Sequence, residues 1–213
     1  MKNLVYKELT LSIHKFFYVL PFIISLLFFI PQWFFTLVVM YFFWITVSNV
    51  YSTYNAQLDY HFINLLPVTK KEVVLSKTYT FIIIELLHIV LAVIFGIVHN
   101  LIYGMANFGM DINPAFYGII FITFGLFNII FLPLYFKTAY KFGLPLILGV
   151  VATLVFGGFF ELSALVIPSV RNVMENGDQL IQMGILVFGV GIFVILNIVG
   201  IKHSVHNYKQ IKR

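Results

Sequence analysis

From Phe16 to Ile201 the chain consists of apolar runs of about 20 residues separated by short polar breaks, and this pattern restricts the fold more than any other feature. A helix needs roughly 20 apolar residues to cross a hydrocarbon layer of ~30 Å, where no water pairs an exposed backbone N–H or C=O. Six segments qualify, at about 16–31, 33–50, 78–98, 115–135, 144–166 and 180–201. Composition agrees: 61% of the 213 residues are hydrophobic and 10% charged, where a soluble domain carries about a quarter charged. The expected fold class is all-α, a polytopic membrane protein with six transmembrane helices in a single transmembrane domain over residues 1–213.

The basic residues set the expected orientation. Lys2, Lys7 and Lys15 precede the first span, Lys70, Lys71 and Lys77 separate the second from the third, and Lys137 and Lys141 the fourth from the fifth. Lys202, Lys209, Lys212 and Arg213 follow the sixth, so twelve of the thirteen basic residues share one side. Only Arg171, beside Glu175 and Asp178, falls on the other. By the positive-inside rule both termini and the two lysine-bearing loops are expected in the cytoplasm of a multi-pass cell-membrane protein. The net charge of +5 is thus spent on topology, and no nucleic-acid partner is expected. With no cysteine in the chain, disulfides, thiolate metal sites and cysteine nucleophiles are excluded.

Residues 1–15 lack the order of a signal peptide, a basic stretch followed at once by an apolar core and a small-residue cleavage site. Leu4, Val5, Leu9 and Ile13 instead form a stripe of period near four among polar residues. That pattern predicts an amphipathic helix lying in the membrane interface.

The loop at 51–77 is more structured than a tether. Thr69 and Glu72 form a T-x-x-E capping box, and Pro67 holds Leu66 extended, so a helix is expected to restart at about Lys70. Before the proline, Tyr51, Tyr54, Leu58, Phe62 and Leu65 recur at spacings of three and four, with Asn55, Gln57, Asp59 and Asn64 off the stripe. This predicts a second amphipathic helix on the cytoplasmic side. Two readings stand: lysines that anchor the third span while the stripe rests on headgroups, or a docking surface whose short break sets the angle between two helices.

At these residues the chain resembles the ABC-2 type of ATP-binding-cassette permease. Members commonly carry an "LLxLPVSRKEIVLAKYL" pattern after the second span, and Pro67, Val68, Thr69, Lys70, Lys71, Glu72, Val73, Val74, Leu75 and Lys77 match it in type and order. Within the family the likeness extends to the membrane subunits of the staphylococcal exporter of phenol-soluble modulins. The resemblance covers the whole topology, although its specific motif occupies about twenty residues. It implies that the loop from about Asn55 to Lys71 is a coupling helix seated in a groove of a cytoplasmic ABC ATPase subunit, with ATP and Mg on that partner and no cofactor bound here. The residues implied for docking are Leu58, Asp59, Phe62, Leu65, Leu66, Pro67, Val68, Thr69, Lys70, Lys71 and Glu72. A second permease subunit, identical or paralogous, a bacterial membrane and an amphipathic peptide cargo are implied with it. One departure is that only Leu162 to Gln179 is available for the re-entrant segment of many relatives. Independently, no G-x-x-x-x-G-K-[ST] occurs, so nucleotide phosphates are not cradled in the usual way.

Polar residues inside the spans are the remaining candidates. Glu85 stands about 12 Å beyond Lys77 along its helix, with His88 one turn on and on the same face. The two either line a translocation path or relay protons, as in a proton-coupled secondary transporter, or they satisfy one another in the bundle. No third ligand stands at helical spacing, which argues against a metal. In the fifth span Gly149, Thr153, Gly157 and Glu161 form one stripe, expected to bring two helix backbones close within the chain or across a dimer and to lead to a carboxylate near the outer surface. Pro21 is expected to kink the first span. No H-E-x-x-H, G-x-S-x-G or apposed aspartate pair occurs, so an intramembrane enzyme is not expected.

Overall fold

The computed structural model describes residues 2–104, 107, 109–175 and 178–211, and their regular structure is entirely helical. Lys212 and Arg213, two of the basic residues that set the orientation, lie outside the described residues.

The N-terminal helix α1, Lys2–Ser12, meets α2, Phe16–Phe29, at a bend of 74°. Helix α2 runs through Pro21 and closes in a 3₁₀ turn, Leu26–Phe29. Ile30 is then extended (φ −82°, ψ 113°), the geometry that a following proline, Pro31, imposes. The bend therefore lies before α2 and not at Pro21. Ten α-helical and four 3₁₀ residues reach only about 23 Å, short of a ~30 Å hydrocarbon layer. This corrects the expected first span at 16–31: five helices are long and apolar enough to cross alone, and a sixth crossing requires the bent pair of α1 and α2 together.

Helix α3, Phe35–Ala56, passes through a widened π-helical stretch, Phe42–Val47, and runs on beyond the expected end at residue 50. Tyr51 and Tyr54 belong to it and are buried. The amphipathic helix expected from Tyr51 is thus two elements, because Leu58 takes a left-handed conformation (φ 52°, ψ 35°) and ends the run. A short helix α4, Asp59–Leu65, follows. Helix α5, Lys70–Tyr103, has 34 residues, about 51 Å, longer than a ~30 Å hydrocarbon layer. Helix α6, Pro114–Lys137, begins with proline at its first turn and with Asn113 accepting the Phe116 N–H at 3.0 Å. Helices α7, Gly143–Val166, α8, Pro168–Glu175, and α9, Gln179–Gln210, complete the chain. Eight-residue α8 lies in the stretch between the last two long helices.

Aromatic rings along α6 make the core. Phe124, Phe127, Phe131 and Tyr135, at spacings of three and four, are completely buried. Phe43 stacks on Phe127 with centroids 4.3 Å apart, and Tyr51 meets Phe131 edge-on at 4.7 Å. Lipid tails are as apolar as leucine, so these contacts gain from packing density and ring geometry and not from leaving water.

Helices α6 and α9 approach most closely, and glycine allows it. A Cβ on Gly118 would stand 2.5 Å from the Ile185 carbonyl oxygen, and a Cβ on Gly189 would strike the Gly118 carbonyl. Both obstacles are backbone, which cannot swing aside. Gly191, one half-turn away, faces open space. Gly189→Ala is therefore expected to cost about 1–3 kcal/mol, while Gly191→Ala is neutral or stabilising by up to about 1 kcal/mol. Thermal unfolding in detergent checks this, and equal behaviour of the two variants would remove the close contact from the account.

Candidate docking surface and intramembrane polar sites

Four charges at the lysine-rich end, three of them buried and Lys7 partly so, position α4. Lys77 on α5 is 1% exposed, with its Nζ 2.7 Å from Asp59 Oδ2, 3.4 Å from Glu8 Oε1 and 3.6 Å from the Tyr54 ring centroid. Lys7 Nζ stands 2.9 Å from Asp59 Oδ1 and 3.1 Å from Glu8 Oε1. Two cations and two carboxylates from α1, α4 and α5 thus neutralise one another. Burial alone pushes the Asp59 carboxyl up, but Lys77 and then Lys7 outweigh it and hold it below the usual carboxylate range. A carboxyl held low stabilises the fold at every pH above its ordinary value near ~3.9 and loses that contribution only as pH falls through the lowered value. The contribution of Asp59 is therefore fully present across the neutral range.

The sequence analysis placed Asp59 among docking residues, and the structure corrects this: its carboxylate points inward and is occupied by Lys7 and Lys77. Asp59 and buried Ile63 hold α4 down, while Leu58, Phe62 and Leu65 face outward, Leu65 with 83% of its surface exposed. Leu66 is extended (φ −84°, ψ 147°) ahead of Pro67, and the capping box closes as its motif predicts. The Thr69 N–H donates to Glu72 Oε2 at 2.9 Å and the Glu72 N–H to Thr69 Oγ1 at 3.2 Å. Pro67, Thr69 and Lys71 are exposed, and Leu66, Val68, Lys70 and Glu72 partly so. Lys70 donates to the Ile211 carbonyl at 2.5 Å, a cation on the negative end of α9. That contact joins the start of α5 to the end of α9 and gathers the lysine-bearing ends on one face.

Inside the span region Glu85 and His88 are both buried but form no hydrogen bond with each other among the described residues. Glu85 Oε2 accepts from Asn128 Nδ2 at 2.8 Å, and the same amide nitrogen donates to Asn197 Oδ1 at 3.0 Å. The expected Glu–His pair is thus replaced by a Glu–Asn–Asn network joining α5, α6 and α9. His88 lies between the rings of Phe42 and Phe124 and makes no well-formed hydrogen bond. Asn128 and Asn197 were passed over in the sequence, although an asparagine amid an apolar run is itself a signal for such a network.

The stripe on α7 is taken up inside the chain. A Cβ on Gly149 would sit 2.8 Å from the Phe127 ring, Gly157 faces Met40 and Thr36, and Thr153 is buried. Within the chain, α3 and α6 fill this face. Glu161 accepts from the Thr36 hydroxyl and, at 3.0 Å, from the Met110 N–H. It borders a cavity of about 230 Å³ between α3 and α7 and pins the connection that precedes α6.

Residues 3–209 match the sequence profile of a family described as ABC-2 family transporter protein. The chain belongs to the ABC-2 transporter family. ABC-2 permeases are membrane transport components without an ATPase of their own, which work with a separate ABC ATPase. No curated protein and no solved structure matches this ABC-2 chain, so the narrower likeness to an exporter of phenol-soluble modulins gains no support from them.

In this ABC-2 protein Lys77→Met leaves two buried carboxylates to share Lys7. It is expected to destabilise by about 3–5 kcal/mol, with Lys77→Met/Asp59→Leu recovering more than half of the loss. Thermal unfolding at pH 7 measures both, and equal loss in the two variants would mean that the charges do not act as a unit.

Proposed function

We propose that this chain is the permease subunit of an ATP-driven exporter, and that α4 with the break up to Lys71 is the surface on which a cytoplasmic ABC ATPase seats. The observation that carries the reading is the two-sided character of α4: Asp59 and Ile63 fix it from within, while Leu58, Phe62 and Leu65 stand exposed at spacings of four and three. A short apolar helix face beside exposed lysine suits a groove in a water-soluble protein better than plain lipid, because its far side is clamped by charge. The left-handed Leu58 at one end and Pro67 with the capping box at the other set its angle.

In this reading the lysine-bearing face is cytoplasmic, α1 lies along the membrane surface, and ATP with Mg is held by the partner. A second permease subunit completes the substrate path, and the cargo is an amphipathic peptide carried outward across a bacterial membrane. The cargo follows from the likeness of the motif alone. Many of the aromatic side chains that suit such a cargo on composition, Phe124, Phe127, Phe131 and Tyr135 among them, lie in the internal core instead.

Leu65→Asp and Leu58→Asp place a carboxylate where an apolar contact is proposed, at side chains 83% and 63% exposed. Each is expected to release the ATPase partner by at least about tenfold in a gentle-detergent pull-down, with membrane insertion and thermal unfolding unchanged. Retained association in both variants would sink docking at α4.

A further inference from the structure

The turn between α6 and α7 holds two successive residues, Ala139 (φ 50°) and Tyr140 (φ 70°), in the left-handed region. There the Cβ of an L residue crowds the following carbonyl, and a bulky side chain is rarely found. Neither residue is a glycine, asparagine or aspartate that would ease the crowding. Such a backbone persists only where its surroundings over-determine it.

Two hydrogen bonds close the turn, from the Tyr140 N–H to the Tyr135 carbonyl at 3.1 Å and from the Thr138 hydroxyl to the Lys141 carbonyl at 2.8 Å. Ala139 and Lys141 are exposed, whereas Tyr140 is only 3% exposed, so the bundle grips the strained pair through the Tyr140 ring. That ring meets four helices. Tyr135 of α6 lies 4.9 Å from it and Tyr208 of α9 5.8 Å, centroid to centroid, and Lys77 Nζ of α5 stands 5.5 Å from its centroid. The fourth contact comes from α4, where Tyr60 meets it edge-on at 5.2 Å. The first three walls belong to long helices of the bundle. Tyr60 belongs to a seven-residue helix joined to the bundle mainly through its neighbour Asp59 and through Ile63. Of the four walls, α4 is therefore the one that can shift while the bundle stays folded. Beyond the turn there is room to move as well: a Cβ on Gly143, the first residue of α7, would meet nothing within 4 Å.

We propose that Tyr140 is a catch between α4 and the start of α7: the Tyr60 ring keeps the turn left-handed, and displacement of α4 frees the Tyr140 ring and lets residues 139 and 140 return to an unstrained backbone. The strain acts in one direction, toward release. Because Gly143 follows Tyr140 by three residues, a change of φ at 139 and 140 re-aims the first turn of α7. The turn is thus a two-position element biased by the position of α4. The contact is internal to the chain, so the inference does not depend on ATPase docking at α4.

The test is hydrogen–deuterium exchange of the whole purified chain in detergent, read by mass spectrometry over residues 138–144. Tyr60→Ala removes the α4 ring and leaves Tyr140 in place. It is expected to speed exchange in the turn at least about tenfold, with the middle of α5 and of α9 unchanged. Tyr60→Phe keeps the ring and is expected to exchange as the wild type does. Coupling between two sites is reciprocal, so Tyr140→Leu is expected to speed exchange in α4, at Phe62, whose N–H donates to the Leu58 carbonyl at 3.1 Å. If Tyr140→Leu fails to fold, the two Tyr60 variants still decide the matter. An unchanged turn in Tyr60→Ala, the same acceleration in Tyr60→Phe, or acceleration spread evenly over α5 and α9 would overturn the proposal, as would a folded Tyr140→Leu that loosens only its own turn.

Discussion

Two lysines and two carboxylates, drawn together where α1, α4 and α5 meet, are the interaction on which the lysine-rich end of this protein depends. Removing any ion from water costs several kcal/mol, and only pairing returns it, so residues 7, 8, 59 and 77 must arrive together. This explains local features that look arbitrary alone. Helix α3 has to stop, and Leu58 accepts a left-handed backbone to stop it, because Asp59 must turn back toward Lys77. Helix α4 is then an extension of α5 and not a loose loop.

What was legible in the sequence was what is encoded locally. The long apolar runs, the capping box at Thr69 and Glu72 and the restart at Lys70 each depend on a few neighbouring residues, and all appear in the structure. What depends on distant partners was not legible. Asp59 sits off the apolar stripe and reads as solvent-facing until Lys7 and Lys77 are brought to it. Tyr51 and Tyr54 share the period of Leu58 and Phe62, yet a single left-handed residue turns the first pair inward and the second outward. The glycines that matter most to packing, Gly118 and Gly189, lie on two different helices, so no spacing within either one identifies them.

The polar groups inside the spans follow the same logic. Glu85 and His88 share a face of α5, but Glu85 takes its hydrogen bond from Asn128 of α6, which also donates to Asn197 of α9. Glu161 binds groups on α3 and on the connection before α6. In hydrocarbon a polar side chain takes whatever partner the fold delivers, so these carboxylates tie neighbouring helices together.

Helix α5 joins the two ends of the molecule without a proline along its 34 residues. A rod of about 51 Å behaves as a lever: tilting it by about 10° at the Lys70 end displaces the other end by about 9 Å. The charged contacts of α4 hold one end of this rod, and Asn100, donating to the Ile112 carbonyl at 2.6 Å, ties it to the connection before α6 near the other. One unbroken element is thus anchored at both ends of the molecule, which makes its tilt the simplest geometric variable that the two ends share.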